Sequence, residues 1–396
     1  MLSLDNGTVE SEIPSYVEPF CFVCMHARSY LTERHQRVDI NCTLSEAREI
    51  TCGVPQGSVL GPLLFLLYIN DMKSVCNCNL FLYADDSALV FSNKDITVIE
   101  NHLSEELQNI SEWLIENKLS LHLGKTESIL FGSKIRLSRT PELKISLGGI
   151  QIEAKNCVKY LGCDLDSSLS GESMSQKVVK KVNQRIKFLA RKAQFLNTDT
   201  LKMLANALIQ PHFDYACTTW YSSTPKRIKV QLQTAQNKLV RLILNLNYRE
   251  HIGSSELKKL KWLTVENRVR QLKLRLTRKI LYKNEPRYFK DYFKLIRNSH
   301  CYSTRGSATD IVPCRFKTCS GQNTFLYMAA MEWNKLPVGI KLSQSDRCFN
   351  RACGEWLLNS IFYVVLNEYL LLKCIYLYLF CIWMWLSVHK VPFSHL

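Results

Sequence analysis

The chain has 396 residues, 46% of them hydrophobic and 22% charged, with a formal net charge of +16. That content is enough for sizeable cores in two or three domains and excludes an intrinsically disordered protein. The charge is uneven: Gln176 to His300 holds 28 Lys and Arg against 7 acids, net +21, and the remainder sums to −5. A basic block of this size is expected to meet phosphate, with a membrane surface as the other polyanion it could attract.

Residues 1–28 show no clear periodicity and read as a degenerate leader. The opening "MLSLDNGTVE" lacks the basic and apolar regions of a secretory signal, and the 16 Cys are irregularly spaced. Reduced thiols in an intracellular setting, nucleus or cytoplasm, are therefore expected. Cys21 and Cys24, with His26 close by, supply half of a zinc spacing. No second pair completes it, because Cys76 and Cys78 lie beside a hairpin and Cys314 and Cys319 far down the chain.

From Ser29 the text is more regular. "SYLTERHQRVDI" reads as a helix end running into a strand, and "REITCGVPQGSVLGP" ends in a Gly- and Pro-rich loop. "PLLFLLYIND" places Pro62 in a first helical turn and stays apolar on every side until Asn70 and Asp71, which predicts a helix buried under a sheet. In "LFLYADDSALVF", Leu80 to Phe91, residues of both faces alternate on either side of Asp85 and Asp86, predicting strand, tight turn, strand with the carboxylates at the tip. Ile96, Ile99, Leu103, Leu107, Ile110 and Leu114 then recur at helical steps, giving an amphipathic helix with an acidic outer face. "LSLHLGKTESILF", Leu119 to Phe131, alternates around Gly124, and "VKYLGCDLD", Val158 to Asp166, follows as further strand. The result is an α+β arrangement up to residue 166. Residues 167–300 are mostly helical and basic, 301–356 form a further region, and 357–396 an apolar tail. Within that tail Tyr369 to Val388 is twenty residues with one charge, Lys373, long enough to cross a bilayer about 30 Å thick; a membrane span and a buried or read-through tail are both open readings.

Taken alone, an Asp-Asp turn is usually only a turn former. Its neighbours change that. Upstream lie Pro55, Gln56 and Gly57, where glycine permits close backbone approach and the amide can bond a base or ribose; downstream, Lys125 follows Gly124 as a cation placed for a phosphate. A Gly loop opening a helix, a carboxylate hairpin and a Lys loop, in that order, form a specific combination.

These residues resemble a reverse transcriptase palm, and "GVPQGSVLGPLLFLLYINDM", "LFLYADDSALVF", "LSLHLGKTESILF" and "VKYLGCDLD" are similar to the polymerases of non-LTR, LINE-type retrotransposons. The similarity runs on through "LIQPHFDYACTTWYSSTPKRI", "LQTAQNKLVRLIL", "HCYSTRG" and "EWNKLP", and so covers about Ser29 to Trp356. It implies a partial polymerase palm, an antiparallel sheet with packed helices over 29–166, followed by a basic helical thumb and connector. It implies RNA-directed DNA polymerisation, a nucleotidyl transfer, with RNA template and DNA primer as partners, Mg2+ as cofactor, and no small-molecule cofactor beyond the nucleotide.

The resemblance also assigns roles. Tyr83, Ala84, Asp85 and Asp86 match the YxDD motif, whose first acid is a magnesium ligand and whose second supports the site. Pro55, Gln56, Gly57 and Tyr83 match the nucleotide and template pocket, Lys125 the loop lysine near the triphosphate, and Tyr160, Leu161 and Gly162 the primer grip. Lys258, Lys259, Lys261, Arg268, Arg270, Lys273, Arg275, Arg278 and Lys279 fall in the thumb and connector and are expected to contact nucleic acid. His300, Tyr302, Thr304 and Arg305 match a family pattern with no physical account of its role.

Where the family places a partner aspartate, in an earlier motif resembling "AFDTVDH", this chain has only Asp5 near in number, with neither flank matching. The expectation is a truncated remnant lacking the fingers, the first catalytic-aspartate motif and the endonuclease domain, inactive alone and able to bind nucleic acid. One acid pair holds too few oxygens for two magnesium ions, so a single weak ion is the expected limit, and the strand at Leu80 to Tyr83 is expected to lose a neighbour. An active polymerase with its aspartate supplied unconventionally and a membrane-anchored product are the alternatives.

Overall fold

The described part of the chain, in a computed structural model, comprises residues 28–50, 53–54, 57–296 and 308–359, with the backbone of 387–390. It falls into two units. One contains the described residues up to Ser128, Glu142–Ala154 and the stretch 387–390; the other contains Ile129–Pro141 and the described residues of Lys155–Trp383.

In the first unit, β1 (His35–Gln36) pairs antiparallel with β4 (Arg48–Glu49), and β2 (Asp39–Ile40) with β3 (Thr43–Leu44). All eight residues are exposed, so these ladders rest on backbone pairing, with Asn41 and Cys42 in the left-handed region at the inner turn. Helix α1 (Leu60–Ile69) begins after Ser58, whose hydroxyl accepts from the Gly61 amide at 3.0 Å. Its expected burial is not found. Only Gly61 and Ile69 are buried, and Leu63, Leu66 and Leu67 are 53%, 51% and 66% exposed. A helix apolar all round does not encode which face will be covered: here Tyr68 is half-buried and donates to the Asn117 carbonyl at 2.6 Å, while Leu63, Leu66 and Leu67 stay open.

Strands β5 (Asn79–Tyr83) and β6 (Asp86–Val90) form the expected hairpin. Helix α2 (Ile96–Glu116) follows, started by Asp95, whose carboxylate accepts from the Thr97 amide at 2.9 Å. Leu103, Leu107, Ile110 and Leu114 point inward with at most 1% exposure, as the three-and-four spacing predicts. Each contributes about 1.5–3 kcal/mol by leaving water, and the helix packs on the 3-10 turn Asn70–Val75 and on β8 (Ser146–Leu147). The stretch around Gly124 is less regular than its alternation predicts: a 3-10 turn, Leu123–Lys125, and only two residues of strand, β7 (Glu127–Ser128). β7 pairs in parallel with β10 (Glu153–Ala154), and β8 pairs with β9 (Ile150–Gln151).

The second unit opens with the hairpin of β11 (Cys157–Tyr160) and β12 (Cys163–Asp166), turned by Leu161 and Gly162 at φ +44° and +80°. The helices are α3 (Glu172–Ala190), α4 (Thr198–Leu208), α5 (Lys226–Leu244), α6 (Ser254–Leu260), α7 (Val265–Lys283), α8 (Phe325–Asn334) and α9 (Asp346–Asn359). Gly171 precedes α3 at φ +66°, and a Cβ there would collide with the carbonyl of Trp220. Val178, Val182 and Ile186 of α3 share a core with Leu232, Leu239 and Ile243 of α5. Val265 and Val269 of α7 belong to this core too, while Leu274 and Ile280 of the same helix belong to a second one with Trp333, Phe349 and Leu357. Helix α7 thus ties both cores of its unit together. Mixed helices with small sheets bear out the α+β class.

The last described strand, β13 (Ser387–Lys390), returns to the first unit. It pairs antiparallel with β6, giving the order β13-β6-β5 with Ser387 opposite Ala88 and Lys390 opposite Asp86. Tyr369–Leu386 of the expected membrane span lie outside the described residues, and its last two, Ser387 and Val388, begin β13. Among the described residues no helix is long and apolar enough to cross a membrane.

Candidate active site and nucleic-acid surface

Tyr83 pairs with Asp86, which leaves Ala84 and Asp85 as a two-residue turn. Ala84 takes the left-handed conformation at φ +51°, a position costing about 1 kcal/mol for a residue with a Cβ. The tip is anchored from below, since Ala88 and Leu89 are fully buried and Val90 nearly so. Asp85 and Asp86 are half-buried at the mouth and Tyr83 is 61% exposed. Lys125 is exposed on its 3-10 turn, which closes through its own amide to the His122 carbonyl at 2.9 Å. β13 lies against β6, against β7 and against that turn.

Pro55 and Gln56 lie outside the described residues. Gly57 is described: it sits at φ +79° with open space where a Cβ would stand, a conformation that favours glycine. Tyr160, Leu161 and Gly162 belong to the second unit, with Tyr160 buried and Leu161 and Gly162 in the turn. Among the described residues no trio of His, Cys, Asp or Glu gathers at the hairpin tip. Asp85 and Asp86 are the residues there that could hold a cation, and two carboxylates do not fit the near-octahedral oxygen shells of a magnesium pair.

The nine expected nucleic-acid contacts divide into two groups. Lys258, Lys259, Lys261, Arg275 and Lys279 are exposed. The other four are engaged inside the helical unit: Arg268 pairs with Asp214 at 2.7 Å, Arg270 with Glu332 at 2.6 Å and Arg278 with Asp346 at 3.0 Å, while buried Lys273 donates to the Ser222 hydroxyl. Arg278 also donates to the carbonyls of Lys341 and Ser343. A denser basic surface lies elsewhere. The exposed side of α3 and its end carry Lys180, Lys181, Arg185, Lys187, Arg191 and Lys192, interrupted by Phe188 at 50% exposure. His212 is held below the usual imidazole value by burial and then by the charges of Lys181 and Arg185. The signal for this face was present in the sequence as charges clustered on one side of an amphipathic helix.

Residues 14–165 match the family described as reverse transcriptase (RNA-dependent DNA polymerase). Over 228 residues the chain is 28% identical to the "Probable RNA-directed DNA polymerase from transposon X-element" of Drosophila melanogaster, covering 54% of this chain and 24% of that protein. Residues 14–165 are thus similar to reverse transcriptases, and the relatives that the chain matches are polymerases of non-LTR, LINE-type retrotransposons. It is also 30% identical over 151 residues to the "RNA-directed DNA polymerase from mobile element jockey" of the same fly, covering 36% of this chain and 16% of that protein. Over 188 residues it is 26% identical to the "Retrovirus-related Pol polyprotein from type-1 retrotransposable element R1 2" of Nasonia vitripennis, covering 43% of each. The chain thus spans about a quarter of the length of the X-element protein that it matches.

Proposed function

We propose that the chain is a nucleic-acid-binding remnant of a retrotransposon reverse transcriptase, whose Asp85 and Asp86 are one half of a two-metal site and do not sustain nucleotide addition alone. One observation carries this reading: Asp86 heads β6, and neither strand paired with β6 bears an acid, since β5 reads NLFLY and β13 reads SVHK. In-line nucleotidyl transfer by two ions about 4 Å apart needs carboxylates on both sides of the metal pair. The hairpin offers one side. Mg2+, the family cofactor, would be held weakly and singly by Asp85 with Asp86 beside it, and would polarise a phosphate oxygen there.

Binding survives this loss because it uses other residues. The α3 face, together with Lys258, Lys259, Lys261, Arg275 and Lys279, presents phosphate ligands in excess of acids, with Phe188 as a stacking surface. RNA template and DNA primer are the partners proposed, held through their backbones and with little regard to sequence. Primer extension on an RNA template with magnesium tests the first half: neither the native chain nor an Asp85→Ala, Asp86→Ala variant is expected to extend. Extension by the native chain that the double variant abolishes overturns the proposal. Filter binding against salt tests the second half, with affinity expected to fall steeply and a flat response sinking it.

A further inference from the structure

At the foot of the catalytic hairpin the chain brings together four metal-ligating side chains from two elements. Cys76 caps the 3-10 turn Asn70–Val75, and Cys78 stands one residue before β5. His102 and Glu106 lie one turn apart on α2, facing them. The Cys76 and Cys78 sulfurs are 3.2 Å apart, and both lie within 4.8 Å of the Glu106 carboxylate. Oε1 of that carboxylate is 3.8 Å from Nε2 of His102, while Oε2 accepts from the Asn77 amide at 2.9 Å. Phe91 packs on the imidazole with ring centroids 4.1 Å apart.

The ordinary alternative is a pair of reduced core cysteines beside a loop-capping glutamate. Burial counts against it. Glu106 is 1% exposed, and a carboxylate taken so far out of water needs more than one amide donor or a positive charge beside it. The Cys76 thiol adds only a weak donor to the carboxylate, and the His102 imidazole, when neutral, adds no charge. Together with a cation, however, they are a complete donor set: two soft thiolates, one imidazole and one carboxylate suit zinc.

We infer that Cys76, Cys78, His102 and Glu106 form a tetrahedral site for a thiophilic divalent cation, zinc by its chemistry, which staples the base of the β5–β6 hairpin to α2. Around such an ion the two sulfurs stand about 3.8 Å apart, and the imidazole nitrogen and carboxylate oxygen about 3.4 Å. The observed 3.2 and 3.8 Å require shifts of about half an ångström, while the His102 nitrogen, which lies outside the 4.8 Å grouping of the two sulfurs and the carboxylate, closes on them by more than an ångström through rotation of its side chain. Charge closes as well. Two thiolates and a carboxylate sum to −3 against the ion's +2, and Lys73, whose Nζ donates to the carbonyls of Cys78 at 2.6 Å and Cys76 at 3.3 Å, supplies the missing positive charge. Loading releases the two thiol protons to solvent and changes no oxidation state. This site is separate from Asp85 and Asp86 and is independent of whether they catalyse.

The full chain, purified without chelator, is expected to retain stoichiometric zinc by elemental analysis, and added Co2+ is expected to give an intense thiolate-to-metal charge-transfer band. Cys78→Ser and Glu106→Gln should weaken binding by about tenfold or more. A Cys21→Ser, Cys24→Ser variant should keep the metal. A second measurement needs no variant: chelator treatment of the native chain should make Cys76 and Cys78 newly reactive to iodoacetamide, mapped by peptide mass, and zinc should restore protection. The inference is overturned if no metal is retained, if zinc follows Cys21 and Cys24 instead, if chelation leaves thiol reactivity unchanged, or if the pair is isolated as a disulfide.

Discussion

The hydroxyl of Tyr215 donates to the main-chain carbonyl of Leu161, at the tip of the β11–β12 hairpin. That hydroxyl and a ring carbon lie 3.3 and 3.4 Å from where a Cβ on Gly162 would stand, and Gly162 is at φ +80°. The shape of this turn therefore rests on one aromatic side chain lying over a backbone that only glycine adopts without strain. Tyr215→Phe is expected to lower the unfolding free energy by about 1 kcal/mol, and Gly162→Ala by about 1–2 kcal/mol. Denaturant titration measures both, and a Phe variant as stable as the parent would show that the hydrogen bond contributes nothing.

Arg270 and Arg275 are five residues apart on α7 and are expected to behave oppositely. Arg270 is paired with Glu332, whose side chain is 7% exposed, and its loss leaves that buried carboxylate with Lys335 at 3.4 Å as its remaining cation. Arg270→Ala should cost about 3 kcal/mol of stability. Arg275 is exposed, so Arg275→Ala should change stability by less than about 0.5 kcal/mol while weakening nucleic-acid binding. Equal melting behaviour of the two variants would remove the distinction.

Lys273 is buried at 3% exposure, and its pKa is pushed down to about 8 by burial and then by the neighbouring charge of Lys229. Below pH 8 the amine is charged in both folded and unfolded states, and the cost of burying that charge is present in full. Between 8 and the ordinary value of 10.5 the folded chain holds it neutral while the unfolded chain still binds the proton. Stability attributable to this group therefore rises with pH through that window. Lys273→Met should be more stable than the native chain at neutral pH, by up to about 3 kcal/mol, with the difference shrinking toward pH 10. A difference that stays constant with pH would rule out the buried charge as its source.

His212 reports on the α3 face. Its pKa is depressed by burial and by Lys181 and Arg185, and phosphates drawn to those cations would offset the second cause. The imidazole pKa, followed by NMR, is expected to rise when a single-stranded oligonucleotide binds and to return toward its free value in high salt. An unchanged His212 titration at saturating oligonucleotide would move the binding surface away from α3.

Much of this fold was legible because its signals are local. Period-two alternation around Asp85 and Asp86 marked β5 and β6, and Asp95 with the run Ile99 to Leu114 marked α2. The burial of α1 was misread because its residues are alike on every side, so that no pattern distinguishes a covered face from an open one. The fates of Arg268, Arg270 and Arg278 were illegible for another reason: their partners Asp214, Glu332 and Asp346 lie 54, 62 and 68 residues away, and only tertiary structure makes them neighbours. The same holds for Cys76 and Cys78, which gain their meaning from Glu106 across an intervening hairpin.

The pairing of β13 with β6 sets an order of events in biosynthesis. Residues 86–90 leave the ribosome early, but the strand that completes their sheet is made almost last, at 387–390. Closing a loop of that length carries an entropic cost of about 5 kcal/mol, and its contacts form late. The helical unit is drawn wholly from the intervening stretch, so it can fold while the hairpin still waits with one open edge. The acidic hairpin therefore acquires its second neighbour only after the sequence of the helical unit has been made.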